Sequence, residues 1–366
     1  MRFSDIRLVV GTRPEAIKLL PVADALAERG LLPTLVLTGQ HHLGKELGLD
    51  RYPTHDLGCL GLPNPDDHVR LVRNATAPLL IGADLVIVQG DTSSALGGAL
   101  AARDACVPVA HVEAGLRTHD PRQPWPEEQY RVAIDEFASL LFAPTAGAME
   151  NLRQEGTTGS AILTGNTAID ALVEAERNLP PGRPQKGRRP TILVTCHRRE
   201  SWGEGLESIA AAVTRLAEDG VALIRFVLHP NPRVAQAMRR ALQARANVEL
   251  LDPCPHGDLI ALLRESDLVL SDSGGIQEEA PALGIPLLVL REKTERPEAI
   301  ACGNARLVGT DTARIVADAR AILSDPLVHA AMSRRAFPFG DGRAAPRIAD
   351  AIMDWPDRAQ PAAATG

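Results

Sequence analysis

The chain has 366 residues, of which 45% are hydrophobic and 23% charged, a composition typical of a globular protein with sizeable cores. Its length predicts two domains, and its formal net charge of −7 argues against broad binding to nucleic acids or anionic membranes, which needs a basic face. Five cysteines without a CxxC spacing argue against a disulfide framework or a zinc ribbon and fit a reducing cytoplasm.

Short apolar runs alternate with amphipathic helical stretches along the first half of the chain. Strands are predicted at 6–10, 34–38, 85–89, 107–112, 140–143 and 161–164. Runs such as LVIV at 85–88 are apolar on both faces, which favours a parallel sheet covered by helices on both sides. The alternation predicts a first domain over 1–178.

A stretch rich in Pro, Gly and Arg follows at 179–190, and it has the composition of a linker. Strands resume at 191–195, 224–228, 248–251, 268–271 and 286–290, which predicts a second domain over 191–345. A helix at 346–358 is expected to return to the first domain, before a low-complexity tail at 359–366. The repeated alternation predicts an α/β protein with two Rossmann-like, doubly wound domains facing a cleft.

Polar motifs follow the predicted strands, where ligands bind in open α/β sheets. The first motif, GTRPEAIK at 11–18, opens a helix whose N–H groups could bind an anion beside Arg13 and Lys18. An ordinary strand–helix turn with solvated basic residues fits this motif about as well. Neither GxGxxG nor GxxxxGK[ST] occurs, so the sequence does not support nicotinamide, flavin or P-loop nucleotide binding.

Three carboxylates occupy strand-end loops of the first domain. Asp91 follows the third predicted strand, Glu113 follows the fourth, and Glu127 stands at a helix start in PWPEE. A Glu at the mouth of a buried strand is costly unless it is used or paired, and Arg117 is a candidate structural partner for Glu113. Crowded carboxylates shift each other's pKa values, as a general acid–base pair requires.

The second domain adds residues suited to a phosphorylated ligand. Ser273, Gly274 and Gly275 open a helix and could cradle phosphate, although a lone SGG is also a common turn. Glu279 could hold ribose hydroxyls. The remaining candidates are His197 and Arg198 after the first strand of this domain, His229 after the second, and Arg296 at a later helix start. The histidines are too scattered for an obvious metal site, and we expect neither a metal nor a cofactor.

Eight motifs occur in one order along the chain: GTRPEAIK, GDTSS, HVEAGLRT, PWPEE, HRRES, HPNP, DSGGIQEEAP and TERPEA. In this order they resemble the bacterial UDP-N-acetylglucosamine 2-epimerases of the non-hydrolysing type, over residues 10–309. The resemblance implies a glycosyltransferase-B-type fold, a homodimer and a UDP-sugar substrate without a cofactor. It also implies elimination of UDP to a 2-acetamidoglucal and its re-addition after inversion at C2.

The same resemblance implies a task for each motif residue. Asp91, Glu113 and Glu127 would carry protons, Arg131 and His229 would act near the diphosphate or sugar, Arg13 and Lys18 would serve the nucleotide, Ser273 and Gly274 would bind phosphate, and Glu279 would hold the ribose. No apolar stretch approaches the ~18–20 residues of a membrane span, so we expect a cytoplasmic enzyme with neither a membrane nor a nucleic-acid partner.

The sequence departs from the family in the segment after the second strand. The residues after Gln40-His41 lack the usual Met-Leu-Asp continuation, the segment 52–67 also differs, and Tyr130 stands where Asn is more usual. We therefore expect weak or absent activation by a second UDP-sugar. A different sugar, such as a 2,3-diacetamido uronate, stays open.

Other functions remain open on the sequence alone. The same residues could serve a hydrolysing 2-epimerase that releases UDP and a free ManNAc-type sugar, a glycosyltransferase of the same fold, or a non-catalytic UDP-sugar sensor. Three carboxylates beside HVEAGLRT fit proton chemistry better than glycosyl transfer or sensing.

Overall fold

The computed structural model describes residues 3–180, 188–196, 203–243 and 245–358, which fall into two compact α/β units. The first unit comprises Met1–Ala171 and Phe339–Gly366, and the second comprises Leu172–Pro338. Both boundaries lie seven residues before those expected from the sequence, at 178 and 345. The first boundary falls inside the helix Thr167–Asn178. The sequence-based boundary lies after this helix, where the composition changes, and the composition does not indicate a boundary within the helix.

The first unit holds a seven-stranded parallel sheet. Its strands are β1 (Ile6–Val10), β2 (Thr34–Leu37), β3 (Thr54–Asp56), β4 (Leu85–Gln89), β5 (Val109–Val112), β6 (Leu140–Ala143) and β7 (Ser160–Leu163). The spatial order is β3-β2-β1-β4-β5-β6-β7, so the direction of winding reverses between β1 and β4. The turns that follow these two strands therefore lie at the topological switch point, where doubly wound proteins bind ligands.

Helices cover both faces of this sheet. They are α1 (Arg13–Glu28), α2 (Pro65–Thr76), α3 (Ser93–Asp104), α4 (Glu127–Phe137), α5 (Ala146–Glu155), α6 (Thr167–Asn178), which crosses the unit boundary, and the C-terminal helix (Ala344–Arg358). The C-terminal helix buries Ile348 and Ile352 in the same core cluster as Leu19 and Leu26 of α1. This packing places the C-terminal helix on the first unit.

The second unit holds a six-stranded parallel sheet in the order β10-β9-β8-β11-β12-β13. Its strands are β8 (Thr191–Thr195), β9 (Leu223–Val227), β10 (Val248–Leu251), β11 (Leu268–Ser271), β12 (Leu287–Val289) and β13 (Ala305–Leu307). Its helices are α7 (Glu204–Glu218), α8 (Pro232–Leu242), α9 (His256–Arg264), α10 (Gly274–Leu283), α11 (Pro297–Ala301), α12 (Thr312–Ser324) and α13 (Pro326–Met332). The C-terminal helix of the first unit is hereafter α14. The switch point of this sheet lies between β8 and β11.

Two edge strands were not predicted from the sequence. β3 is three residues long and fully exposed, and β13 is equally short. Neither has the apolar run that marks a buried strand, because each pairs on one side only. Their pairing is decided by the neighbouring strand and not by their own residues.

Candidate functional site

The turn between β1 and α1 lies against the start of α3. A Cβ at Gly11 would come within 2.0 Å of the Ser94 hydroxyl, so only glycine fits there. Thr12 caps α1, and Glu15 completes a capping box by accepting from the Thr12 backbone. This close approach brings the first motif and the Asp91–Ser94 turn to one edge of the sheet.

The amides at this turn are occupied by a side chain of the same helix. The N–H groups of Gly11 and Thr12 donate to Glu15 Oε2 at 2.7 and 2.5 Å, and the Thr92 hydroxyl donates to the other oxygen. These two amides, which precede the first residue of α1, are therefore engaged within the protein. The spacing of Thr12 and Glu15 is that of a capping box, and it does not indicate that the Glu15 carboxylate is buried.

Burial raises the pKa of Glu15 to about 7, against the opposing effect of the Thr92 hydroxyl and the two amides. The folded state therefore binds more protons than the unfolded state between pH 4.5 and 7, and stability is lost as the pH rises through this window. Glu15→Gln stays neutral at all these pH values. We therefore expect its free energy of unfolding, relative to that of the wild type, to increase by up to roughly 3 kcal/mol between pH 5 and 8. Urea midpoints at several pH values measure this gain, with the exposed Glu28→Gln of the same helix as control. Parallel curves for Glu15→Gln and the wild type would contradict it.

Glu113 directly follows β5. Its backbone lies in the left-handed region, with a φ of +72°, and the residue is 8% exposed. Its Oε2 accepts from the Lys18 ammonium, from Gln89 Nε2 at 2.9 Å and from Asn166 Nδ2 at 3.4 Å. The structure thus joins Lys18 and Glu113, two predicted site residues from distant motifs, in a buried ion pair. Gln89 and Asn166 were missed by sequence analysis, because an amide at the end of a strand carries no signal of its own.

Arg117 is not the partner of Glu113. Its guanidinium pairs with Asp135 at 2.8 Å and with Glu155 of α5, so the structural interpretation of Glu113 through this arginine is wrong.

Arg131 of α4 pairs with Asp91 on the β4–α3 turn and lies 3.2 Å from Glu128. Glu128 Oε1 in turn accepts from the amides of Thr118 and His119 at 2.8 and 3.0 Å, which holds the loop after β5 against α4. Glu127 is the first residue of α4. The three predicted carboxylates thus lie on the loops and helix start that follow β4 and β5.

In the second unit, Ser273 caps α10 after β11, and its hydroxyl accepts from the Ile276 amide at 3.5 Å. A Cβ at Gly274 would lie 2.8 Å from the Arg296 guanidinium. Among the residues that the structure describes, a Cβ at Gly275 would meet only the Ser273 hydroxyl, at 3.9 Å. The loop therefore needs glycine at 274 for packing, and its backbone at 275 is open to a ligand. This arrangement suits the phosphate cradle expected from the sequence.

Arg296 is engaged within the protein. Its Nε donates to Glu278 at 2.6 Å and its Nη1 to Glu295, and the residue is 5% exposed. A guanidinium shared by two carboxylates is a weak ligand for a diphosphate, so Arg296 is better placed to support the Gly274 backbone.

Two other predicted residues have defined partners. Glu279 Oε1 lies 2.7 Å from His256 Nε2, within hydrogen-bond distance, and the sequence does not indicate this contact. The backbone N–H of Asn231 donates to His229 Nδ1 at 2.8 Å, so the proton of the neutral ring is on Nε2. His197 and Arg198 lie outside the described residues.

Within the described ranges, no group of three or more His, Cys, Asp or Glu side chains is arranged to hold a metal ion. Across the same part of the chain, no helix has the length and apolar character needed to cross a membrane.

Comparison with known proteins gives a consistent result. Residues 24–353 match the family model described as UDP-N-acetylglucosamine 2-epimerase. A probable UDP-N-acetylglucosamine 2-epimerase of Ralstonia solanacearum is 41% identical over 96% of this chain and 99% of its own length. The UDP-N-acetylglucosamine 2-epimerase of Escherichia coli K12 is 41% identical over 94% of this chain and 97% of its own length.

A solved structure of UDP-GlcNAc 2-epimerase from Neisseria meningitidis bound to UDP-GlcNAc is 34% identical, with a TM-score of 0.90 over 96% of this chain and all of that one. The predicted α/β class with two Rossmann-like units of the glycosyltransferase-B type is confirmed. On the family match and on identities above 40% across almost the whole length, this chain belongs to the UDP-N-acetylglucosamine 2-epimerase family.

Proposed function

We propose that this chain inverts C2 of a UDP-linked 2-acetamido sugar, interconverting UDP-GlcNAc and UDP-ManNAc. The observation that carries the proposal is the buried pair of Lys18 and Glu113 at the ligand-binding edge of the first sheet. Burying the Glu113 carboxylate and holding its backbone in the left-handed region both cost free energy, although three donors contact its oxygen. Such costly arrangements are concentrated at functional sites. The names of the relatives, and the UDP-GlcNAc bound to the Neisseria enzyme, support the same substrate.

The chemistry begins with loss of UDP from the sugar. The C1–O bond breaks with its electron pair going to the diphosphate, a carboxylate takes the proton from C2, and a C1–C2 double bond forms. UDP then adds back to C1 while an acid delivers a proton to the opposite face of C2. Asp91, Glu113 and Glu127 are the groups we assign to these proton transfers, with Arg131 orienting Asp91 through their ion pair.

The nucleotide is assigned to loops that offer backbone amides or cations. Ser273, Gly274 and Gly275 would bind phosphate at the start of α10, and Glu279 would accept from ribose hydroxyls. Arg13, at the first position of α1, and His229, through Nε2–H, would stabilise the charge that develops on the leaving diphosphate. Lys18 serves Glu113 directly, and we assign it to that carboxylate in place of the nucleotide.

Proton NMR of the purified protein with UDP-GlcNAc in deuterated water tests this function. We expect UDP-ManNAc carrying deuterium at C2, because the proton delivered to the intermediate comes from solvent. Release of UDP and free sugar would instead show the hydrolysing reaction, in which water attacks C1. Unchanged substrate would contradict UDP-GlcNAc as the substrate, and a UDP-linked 2,3-diacetamido uronate would be the next sample.

The assembly and location proposed for the enzyme follow from the family resemblance. We propose a homodimer that works in the cytoplasm and supplies an N-acetylmannosamine donor for polysaccharide synthesis. Light scattering of the eluted protein checks the dimer directly, with a monomer mass as the contradicting result.

A further inference from the structure

Asp135 of α4 has no assigned task and is completely buried. One of its oxygens lies 2.6 Å from His111 Nδ1, and the other accepts from the Gly115 amide at 3.0 Å and pairs with Arg117 at 2.8 Å. A single carboxylate thus contacts the residue two positions before Glu113 and the residue two positions after it.

His111 extends this contact to the neighbouring strand. Its Nε2 lies 2.8 Å from the carbonyl oxygen of Gly90, which can only accept, so this nitrogen carries a proton. Burial would raise the pKa of Asp135, but the charges of His111 and Arg117 hold it below its usual value, so this carboxylate is ionised. Both ring nitrogens of His111 therefore face acceptors, and the ring links Asp135 to Gly90.

The backbone around Glu113 needs such a restraint. Glu113 has a backbone φ of +72°, a conformation that non-glycine residues adopt only when the surrounding structure holds them there. Gly115, with a φ of +84°, lies so close to α5 that a Cβ would come within 2.3 Å of the Ala148 carbonyl. The turn is thus held from both sides, by α5 through Gly115 and by Asp135 through His111 and the Gly115 amide.

We infer that Asp135 is a positioning residue for the two candidate acid–base carboxylates. It positions Glu113 by holding His111 and Gly115, which flank it, and it positions Asp91 through His111 and the Gly90 carbonyl. The inference rests on the proposed function of Asp91 and Glu113. Asp135 itself is completely buried and acts only through these groups. Gly90, with a φ of +69°, is the residue immediately before Asp91, so fixing its carbonyl fixes the direction in which the next residue leaves the strand.

The test compares two isosteric substitutions that each remove one carboxylate from Arg117. In Asp135→Asn the charge that holds His111 is lost, and we expect kcat to fall about 100-fold with KM and UDP affinity changed less than about threefold. In the control, Glu155→Gln, Arg117 loses its other partner but His111 keeps Asp135, and we expect kcat within about twofold of the wild type. Equal losses in the two variants would overturn the inference.

A double variant separates positioning from general loss of structure. If part of the effect of Asp135 passes through Glu113, then adding Asp135→Asn to Glu113→Gln should lower the residual rate by less than about tenfold, well below the effect of Asp135→Asn in the wild type, because only the contribution through Asp91 is left. Multiplied losses would overturn the inference. A rate for Glu113→Gln equal to the wild type would contradict the proposed function and is distinguishable from failure of the Asp135 role.

A measurement on the unaltered protein keeps the inference testable if Asp135→Asn does not fold. Nitrogen-15 NMR of the ring-labelled histidines should show a proton on His111 Nε2 and a strongly downfield proton in the hydrogen bond between His111 Nδ1 and Asp135. Assignment uses His111→Gln. A His111 Nε2 without a proton, or the absence of a downfield proton at Nδ1, would overturn the proposed network.

Discussion

Replacing Glu113 by Gln is expected to lower kcat by about 10³-fold while leaving UDP affinity within about threefold of the wild type. The amide has the shape of the carboxylate but cannot take the proton from C2. The loop at the start of α10, to which phosphate binding is assigned in the proposal, belongs to the second unit, and we expect the change to leave it unaffected. Initial rates measure the first effect, and calorimetric titration with UDP measures the second.

The matched control is Glu136→Gln, which makes the same change at an exposed position of α4, and its rate should equal that of the wild type. The deuterium experiment adds a qualitative result, since Glu113→Gln should also lose exchange at C2. Undiminished exchange in this variant would show that another group takes the proton.

Replacing Lys18 by Met is expected to destabilise the first unit by about 3 kcal/mol. The side chains of Lys18 and Glu113 are 9% and 6% exposed, so the substitution removes a cation from beside a buried carboxylate. Gln89 and Asn166 still donate to Glu113 but do not carry the charge that offsets its desolvation. Combining Lys18→Met with Glu113→Gln should restore most of the stability, because the buried charge is then gone as well.

Urea unfolding of the wild type, the two single variants Lys18→Met and Glu113→Gln, and the double variant measures this coupling. The control, Arg70→Met, removes the cation of an exposed pair with Asp67 and should change the stability by less than about 1 kcal/mol. Additive losses in the double variant would show that Lys18 and Glu113 do not depend on each other.

Much of the architecture follows from local patterns in the sequence. Apolar runs flanked by helical periodicity are enough to predict eleven of the strands and the two-unit α/β class, because strands buried on both faces must be apolar throughout. Asp91, Glu113 and Ser273 could be selected as candidates, since a doubly wound sheet places the residues after its strands at one edge. The family resemblance added the substrate class, which no local pattern contains.

The partners of these residues were decided only by the tertiary structure. Lys18 and Glu113 are 95 positions apart, and no periodicity in either segment indicates that they meet. Glu15 accepts from the amides of Gly11 and Thr12, and Arg296 is shared between two carboxylates, contacts that the sequence does not indicate. Asp135 is invisible from sequence for the same reason: hydrogen bonding and desolvation depend on which groups are packed together, and strand order and helix placement set that packing.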